Sequence, residues 1–285
     1  MRPRINAADI EQSDRWLEDP SEEYEGWPVC RKYNLRRGEI VAEYAPEDLE
    51  GWDISWPLEE TPDLFLKFAM LHEEPDFEQA AFAFVHQYGL PDGTTIVSPF
   101  SGYERPLSDK MGLSRLLVES NRAWDGLALY EAVLNHDVDQ AKALISHHEQ
   151  SREDFGGYFR RHNREGATRT RFPPELVLAL KAAVFRAKHV SDRLCTTRVD
   201  FTFDNATKVD SSCIRTYWEF ENLIGVVYLQ MYWLMTSGGG LTRCTNCGRL
   251  ITLSHTAPGG RKQRSDRRFC DDTCRQAHHR SKKKL

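Results

Sequence analysis

Apolar positions recur at helical spacing along most of the chain. After Thr61-Pro62, Leu64, Phe65, Phe68 and Leu71 follow that period, and a proline suits a first turn. Pro75-Asp76 opens a second helix with Phe77, Ala80, Ala81, Phe84 and Val85 on its apolar face. It ends at Tyr88-Gly89-Leu90-Pro91, a glycine followed by a proline. Pro91-Asp92-Gly93 reads as a turn and Thr94–Val97 as a short strand. From Ser108 to about His148 the helical pattern returns through Leu116, Leu117, Trp124, Leu127, Leu129 and Leu134, with a restart at Asp139. Pro173-Pro174-Glu175 opens a further helix to about Leu194.

Period two takes over next. Val199, Phe201 and Phe203 alternate with Asp200, Thr202 and Asp204, so residues 195–210 read as a strand or hairpin. Asp210-Ser211-Ser212 is predicted to cap a long helix to about Thr236. Its apolar stretch, Leu223–Met235, is interrupted by Gln230 and falls short of the roughly 18 residues that span a bilayer, so it reads as a buried core helix. Gly238-Gly239-Gly240 ends that helix and predicts a hinge. The first 65 residues hold four of the seven tryptophans (Trp16, Trp27, Trp52, Trp56), more than a disordered tail carries, and predict short-stranded structure packed on a core. The expected fold is mostly α with a few short strands (α+β). A helical body over residues 1–237 precedes a small C-terminal module over residues 241–285.

Charge sharpens that division. Residues 1–150 hold 13 Lys+Arg and 30 Asp+Glu, a net of −17; residues 151–240 hold 13 and 10; residues 241–285 hold 12 and 3, a net of +9. A basic end suits a polyanionic partner. The acidic half suits a basic protein partner or contact with the tail itself. Met1-Arg2-Pro3-Arg4 leads into polar sequence with no apolar core of a secretory signal, so the expected location is cytoplasmic, with no membrane partner.

The seven cysteines point the same way: an odd number argues against a disulfide framework. Cys30, Cys195 and Cys213 stand alone and read as buried, inert thiols. The other four form C-x2-C and C-x3-C pairs, Cys244/Cys247 and Cys270/Cys274. Thiolates at this spacing suit one tetrahedral Zn2+ in a structural role. Gly248 permits the positive φ that such a knuckle needs. Asp271, Asp272 and Thr273 favour a helix start at the second pair. Between the pairs, Leu250, Ile251 and Leu253 predict one arm of a β-hairpin, Pro258-Gly259-Gly260 its turn, and Arg268-Phe269 its return. Knuckle, hairpin and helix together resemble a treble-clef finger.

The final helix, from about Asp272 to Lys284, is strongly basic. Arg275, His279 and Lys282 share a face, and Arg280, Lys283 and Lys284 widen it. With Arg264, Arg267 and Arg268 from the connector, these are the candidate phosphate contacts, on DNA in preference to RNA. A second basic segment begins at Tyr158-Phe159-Arg160-Arg161-His162-Asn163-Arg164 and continues to Arg169 and Arg171. Arginines interleaved with aromatics can grip phosphates and stack on bases, although a solvated loop is the simpler reading.

Cys244, Cys247-Gly248, Arg264, Arg267-Arg268, Cys270 and Cys274-Arg275-Gln276-Ala277 resemble the CGNR-type zinc fingers of bacterial putative stress-induced transcription regulators. The tetrapeptide that names that group is replaced here by Cys274-Arg275-Gln276-Ala277, and the resemblance is confined to the last 45 residues. It implies a DNA-binding regulator of transcription. The Phe82–Gly89 stretch, with the long helix before the cysteines, is similar to uncharacterised actinobacterial proteins that combine a helical body with a four-cysteine finger; that likeness implies an architecture and no activity.

Two alternatives stand beside the regulator. One is a protein-interaction protein with a purely structural finger and an acidic, Trp-rich docking half. The other is a zinc-containing nuclease, for which His255, His278 and His279 are available, although His255 has no neighbouring acid or second histidine. With no recognisable catalytic motif, the expectation is that the protein is not an enzyme.

Overall fold

The computed structural model describes residues 27–44, 49–55, 57–61, 63–92, 110–150, 158–159, 172–201, 214–253 and 267–282. The fold is mostly α with a few short antiparallel strands, in keeping with the hydrophobic periods. Strands β1 (Trp27–Cys30), β2 (Tyr33–Arg36), β3 (Glu39–Ala42) and β4 (Trp52–Ser55) come first. β1 pairs with β4, and β2 pairs with β3 across Arg37-Gly38, both at positive φ as a two-residue hairpin turn requires. Helices α1 (Pro57–Glu60) and α2 (Leu64–Ala69) follow, then a 3-10 turn over Met70–Glu73. Next is α3 (Phe77–Tyr88), capped by the Asp76 carboxylate, which accepts the Gln79 amide at 3.0 Å.

Strand β5 (Lys110–Gly112) adds to β3 and runs into α4 (Leu113–Leu134), the long central helix. Helices α5 (Val138–Gln150) and α6 (Pro174–Leu194), the ribbon β6 (Cys195–Phe201) and β7 (Ile214–Phe220), and α7 (Leu223–Thr236) complete the body. The C-terminal module holds β8 (Leu241–Arg243), β9 (Leu250–Thr252) and α8 (Asp272–Lys282).

The core gathers around α4 and α7. α4 packs against α2, α5 and α6, and α7 packs against α6 and α2. Close approach depends on small residues. A Cβ on Gly225 would meet the Leu194 carbonyl oxygen at 2.9 Å and Cys195 Sγ at 3.0 Å, so only glycine lets α7 touch the α6–β6 junction. Every residue from Leu223 to Met231 is buried, as expected of a core helix. Its polar interruption, Gln230, is fully buried and fully bonded. Its Nε2 donates to Thr61 O at 2.8 Å and Pro57 O at 3.2 Å, and its Oε1 accepts from the Phe65 amide at 3.2 Å. One side chain thus ties α7 to α1 and α2, and its carbonyl satisfies the Phe65 amide while its own amide finds two acceptors inside the core.

Several sequence expectations hold at the residue level. α6 starts and stops where the prolines and Leu194 predict, Cys30 and Cys195 are buried, and Trp27 sits in the core. Burial pushes the Cys195 thiol up to about 12, which fits an inert role. One expectation is corrected here. Ile214–Phe220 is a strand rather than the start of a long helix, because Ile, Thr, Tyr, Trp and Phe favour a pleated surface and pair with β6 from Cys195↔Phe220 to Phe201↔Ile214. α7 therefore begins at Leu223, capped by Asn222, whose Oδ1 accepts the Gly225 amide at 3.0 Å. Readings at Trp16, Trp56, Pro62, Thr94–Val97, Arg160–Arg171, Cys213, His255, Pro258–Gly260, Arg264, Lys283 and Lys284 lie outside the described residues. Among the described residues, no helix is long and apolar enough to cross a membrane.

Gln230→Leu keeps the volume but strands the Phe65 amide and removes one of the two hydrogen bonds on each of the Thr61 and Pro57 carbonyls. It is expected to destabilise the body by about 2–3 kcal/mol, read as a lowered midpoint in urea unfolding with unchanged slope.

Candidate metal centre

The module begins where α7 ends. Gly238 takes a φ of +71°, and the Gly239 amide donates to Leu234 O at 2.8 Å, closing the helix C-terminus. β8 then pairs with β9, Leu241↔Thr252 to Arg243↔Leu250. This corrects the predicted hairpin: the Leu250–Thr252 arm pairs with the strand before the first cysteine and not with Arg268-Phe269. The knuckle between the strands holds Cys244 and Cys247. The Gly248 amide donates to Cys244 O at 2.9 Å with Gly248 at φ +75°, and the Cys244 amide donates to Arg249 O at 2.8 Å. The glycine after the second cysteine thus has the backbone the sequence assigned to it. The Arg268 carbonyl reaches the knuckle by accepting the Thr245 amide at 2.9 Å.

Cys270 and Cys274 arrive at the start of α8. Asp271 caps that helix by accepting the Cys274 amide at 2.7 Å, and this bond holds its carboxyl below the usual aspartate range. All four sulfurs lie within 4.8 Å of one another, and Cys247 Sγ is 3.6 Å from Cys270 Sγ. A tetrahedron of sulfurs about 2.3 Å from a central ion has edges of roughly 3.8 Å, so the set fits one metal ion. Among the described residues it is the one such cluster of metal-ligating side chains. Four thiols this close titrate as a group. Burial opposes ionisation of Cys244, but the Cys247, Cys270 and Asn246 amides outweigh it and pull the thiol down to about 6. Burial and the neighbouring thiols push Cys270 up.

The module is fastened to the body by two arginines. Arg243 forks onto Glu131 of α4, with Nε to Oε1 at 2.7 Å and a terminal nitrogen to Oε2 at 2.6 Å. Its other terminal nitrogen donates to Gly248 O at 3.3 Å, and its guanidinium lies 5.9 Å from the Trp124 ring centre. Glu131 is only 3% exposed, so the pair is a desolvated one on the carboxylate side. Arg249 donates to Glu74 at 2.7 Å, and Tyr130 Oη donates to Gly239 O at 2.8 Å. The glycine segment that the sequence marks as a hinge is thus held at both ends. A cleft of about 280 Å³ remains between the body and the module, floored by Leu66, Leu71, Leu250 and Ile251. Its rim cations Lys67 and Arg249 are paired with Asp63 and Glu74.

No protein-family model, curated protein or solved structure matches this chain.

The candidate phosphate contacts divide into groups. Arg267 bends back onto the Phe269 and Cys270 carbonyls. Arg275 is exposed and paired with Asp272 at 3.0 Å. Arg268, His279, Arg280 and Lys282 are exposed. Sequence reasoning missed the docking residues. Glu131 could have been found, because it follows Leu127 by four residues on an apolar helical face where a lone carboxylate needs a cation. Nothing in the sequence named Arg243 as its partner, or Glu74 as the partner of Arg249.

Two measurements follow. Cys247→Ser is expected to lower bound metal from one ion per chain to a small fraction under chelator competition, and to raise amide exchange across Asp272–Lys282; elemental analysis and hydrogen exchange read these. Glu131→Ala is expected to cost about 2 kcal/mol and to make Gly238–Leu241 protease-sensitive while leaving metal stoichiometry at one.

Proposed function

We propose that the four cysteines hold one structural Zn2+ and that the protein binds nucleic acid, DNA in preference to RNA, through the basic face of α8, as a regulator of transcription. The observation that carries this reading is that α8 buries none of its residues. A helix normally earns its stability by packing an apolar face. This one is held at its N-terminus by Cys270, Cys274 and the Asp271 cap, with Phe269 against His278 at a ring distance of 5.3 Å. The rest of its surface is left to solvent, with Arg275, His279, Arg280 and Lys282 on it. All-thiolate tetrahedral coordination favours Zn2+ over harder ions. The likeness of the cysteine module to CGNR-type fingers of transcription regulators adds to the reading.

A second reading has its own support. Arg243 and Arg249 are committed to Glu131 and Glu74, which suits a finger that completes the body rather than reading a polymer. In that case the acidic first half of the chain serves a protein partner.

Fluorescence anisotropy with labelled duplex DNA, single-stranded DNA and RNA at two salt concentrations separates the two. The first reading expects salt-sensitive binding that Arg275→Ala, Arg280→Ala and Lys282→Ala together weaken at least about tenfold, with the salt slope reduced by about 3. Binding unchanged by the triple variant, or absent for all three polymers, supports the structural finger instead.

A further inference from the structure

The body carries a second surface with the physical marks of a nucleic-acid contact, and it lies on α6. Phe185 is 51% exposed in the middle of that helix. His189, one turn on, lies parallel to it, with ring centres 5.6 Å apart and planes 6° apart. On the other side Tyr158 meets Phe185 at 4.8 Å. The series then turns inward: Tyr158 contacts Phe159 edge-on at 6.0 Å, and Phe159 stacks on His148 at 6.1 Å. Phe159 is fully buried and His148 is 4% exposed. Five rings therefore run from solvent into the core, and the outer rings stand on an anchored base.

Isolated exposed aromatics are ordinary. A preformed stack differs, because its outer ring already has a fixed plane and loses little entropy when another flat group lies on it. The charge along this part of the sequence selects the group. Residues 151–194 hold 10 Lys+Arg and 5 Asp+Glu, a net of +5, against −17 for the 150 residues before them. Lys181 and Lys188 stand exposed on α6, four residues before and three after Phe185, and Lys188 also pairs with Asp192. Exposed rings beside cations are the elements of a platform for unstacked bases. An apolar protein partner would have no use for the net positive charge.

We propose that the Phe185–His189 face of α6, backed by Tyr158, is a stacking platform for single-stranded nucleic acid. It deepens the nucleic-acid reading and rests on it: α8 supplies phosphate contacts, and α6 supplies base contacts. The bases of a duplex are not available to such a ring, so the platform acts on single strands, loops or ends.

The test uses the full-length, metal-loaded chain with labelled dT20, rU20 and a 20-base-pair duplex. Phe185→Ala is expected to weaken dT20 and rU20 binding about fivefold to a hundredfold and to leave duplex binding within twofold. Phe185→Tyr keeps a ring and is expected to restore single-strand affinity. Circular dichroism checks that both variants keep their helix content, which half exposure of Phe185 favours. Single-strand binding that Phe185→Ala leaves unchanged overturns the platform and spares α8. Loss of duplex and single-strand binding to the same degree also overturns it, because the residue then acts through the fold. If the unaltered protein binds none of the three probes, the nucleic-acid reading falls and the platform with it.

Discussion

The placement of the cysteine module depends on one guanidinium. Glu131 is buried on the core side of α4, where an unpaired carboxylate costs several kcal/mol. Arg243 meets it with both ends of a planar fork, at 2.7 and 2.6 Å, a geometry that lysine cannot reproduce. The same side chain reaches the Gly248 carbonyl inside the knuckle. Arg243 directly precedes Cys244, so the bond that orients the module also closes the loop that aims its first two sulfurs. Body and cysteine cluster are mechanically continuous through this residue.

That continuity gives the charge gradient a structural meaning. The acidic body does not simply repel an anionic partner while the basic end attracts it. Two body carboxylates, Glu131 and Glu74, take two of the module's arginines as internal partners. Among the described residues, what remains outward is Arg268 and the set on α8, where Arg280 and Lys282 lie toward the helix C-terminus and complement its dipole. The sequence total of +9 for residues 241–285 therefore overstates the charge on offer to a polymer. It also explains why the exposed cations, rather than the total, decide where phosphates are expected to sit.

Much of this was legible in the chain because the signals were local. Helix periods, the Pro173-Pro174 start, the Gly248 backbone and the clustering of Cys244, Cys247, Cys270 and Cys274 each depend on spacing within a few residues or on donor chemistry. The misreadings were questions of pairing. Asp210-Ser211-Ser212 looks like a cap, but Ile214–Phe220 found a strand partner in β6, and sheet formation overrode the local signal. Leu250–Thr252 was assigned a partner downstream when β8 lay closer in space. The triglycine reads as a hinge because glycine is permissive, yet its freedom is removed by Tyr130 and the helix-terminal bond at Gly239. Strand partners and buried ion pairs join residues far apart in sequence, such as Glu131 and Arg243, and single-chain periodicity carries no record of them.

The two proposed contact surfaces differ in kind, and the difference bears on how they act together. α8 offers charge with its rings turned toward Phe269; α6 offers exposed rings beside a few cations. Charge alone binds any nucleic acid and weakens steeply with salt, whereas stacking depends on unpaired bases and weakens less. A strand that engages one surface is presented to the other at an effective concentration set by the connection between them. With a free triglycine that connection would be loose, and the gain small. With Arg243 and Tyr130 fixing the module, the spacing is set, so the gain falls to substrates whose paired and unpaired parts match it. In that arrangement the pair between Arg243 and Glu131 governs selectivity without touching the polymer.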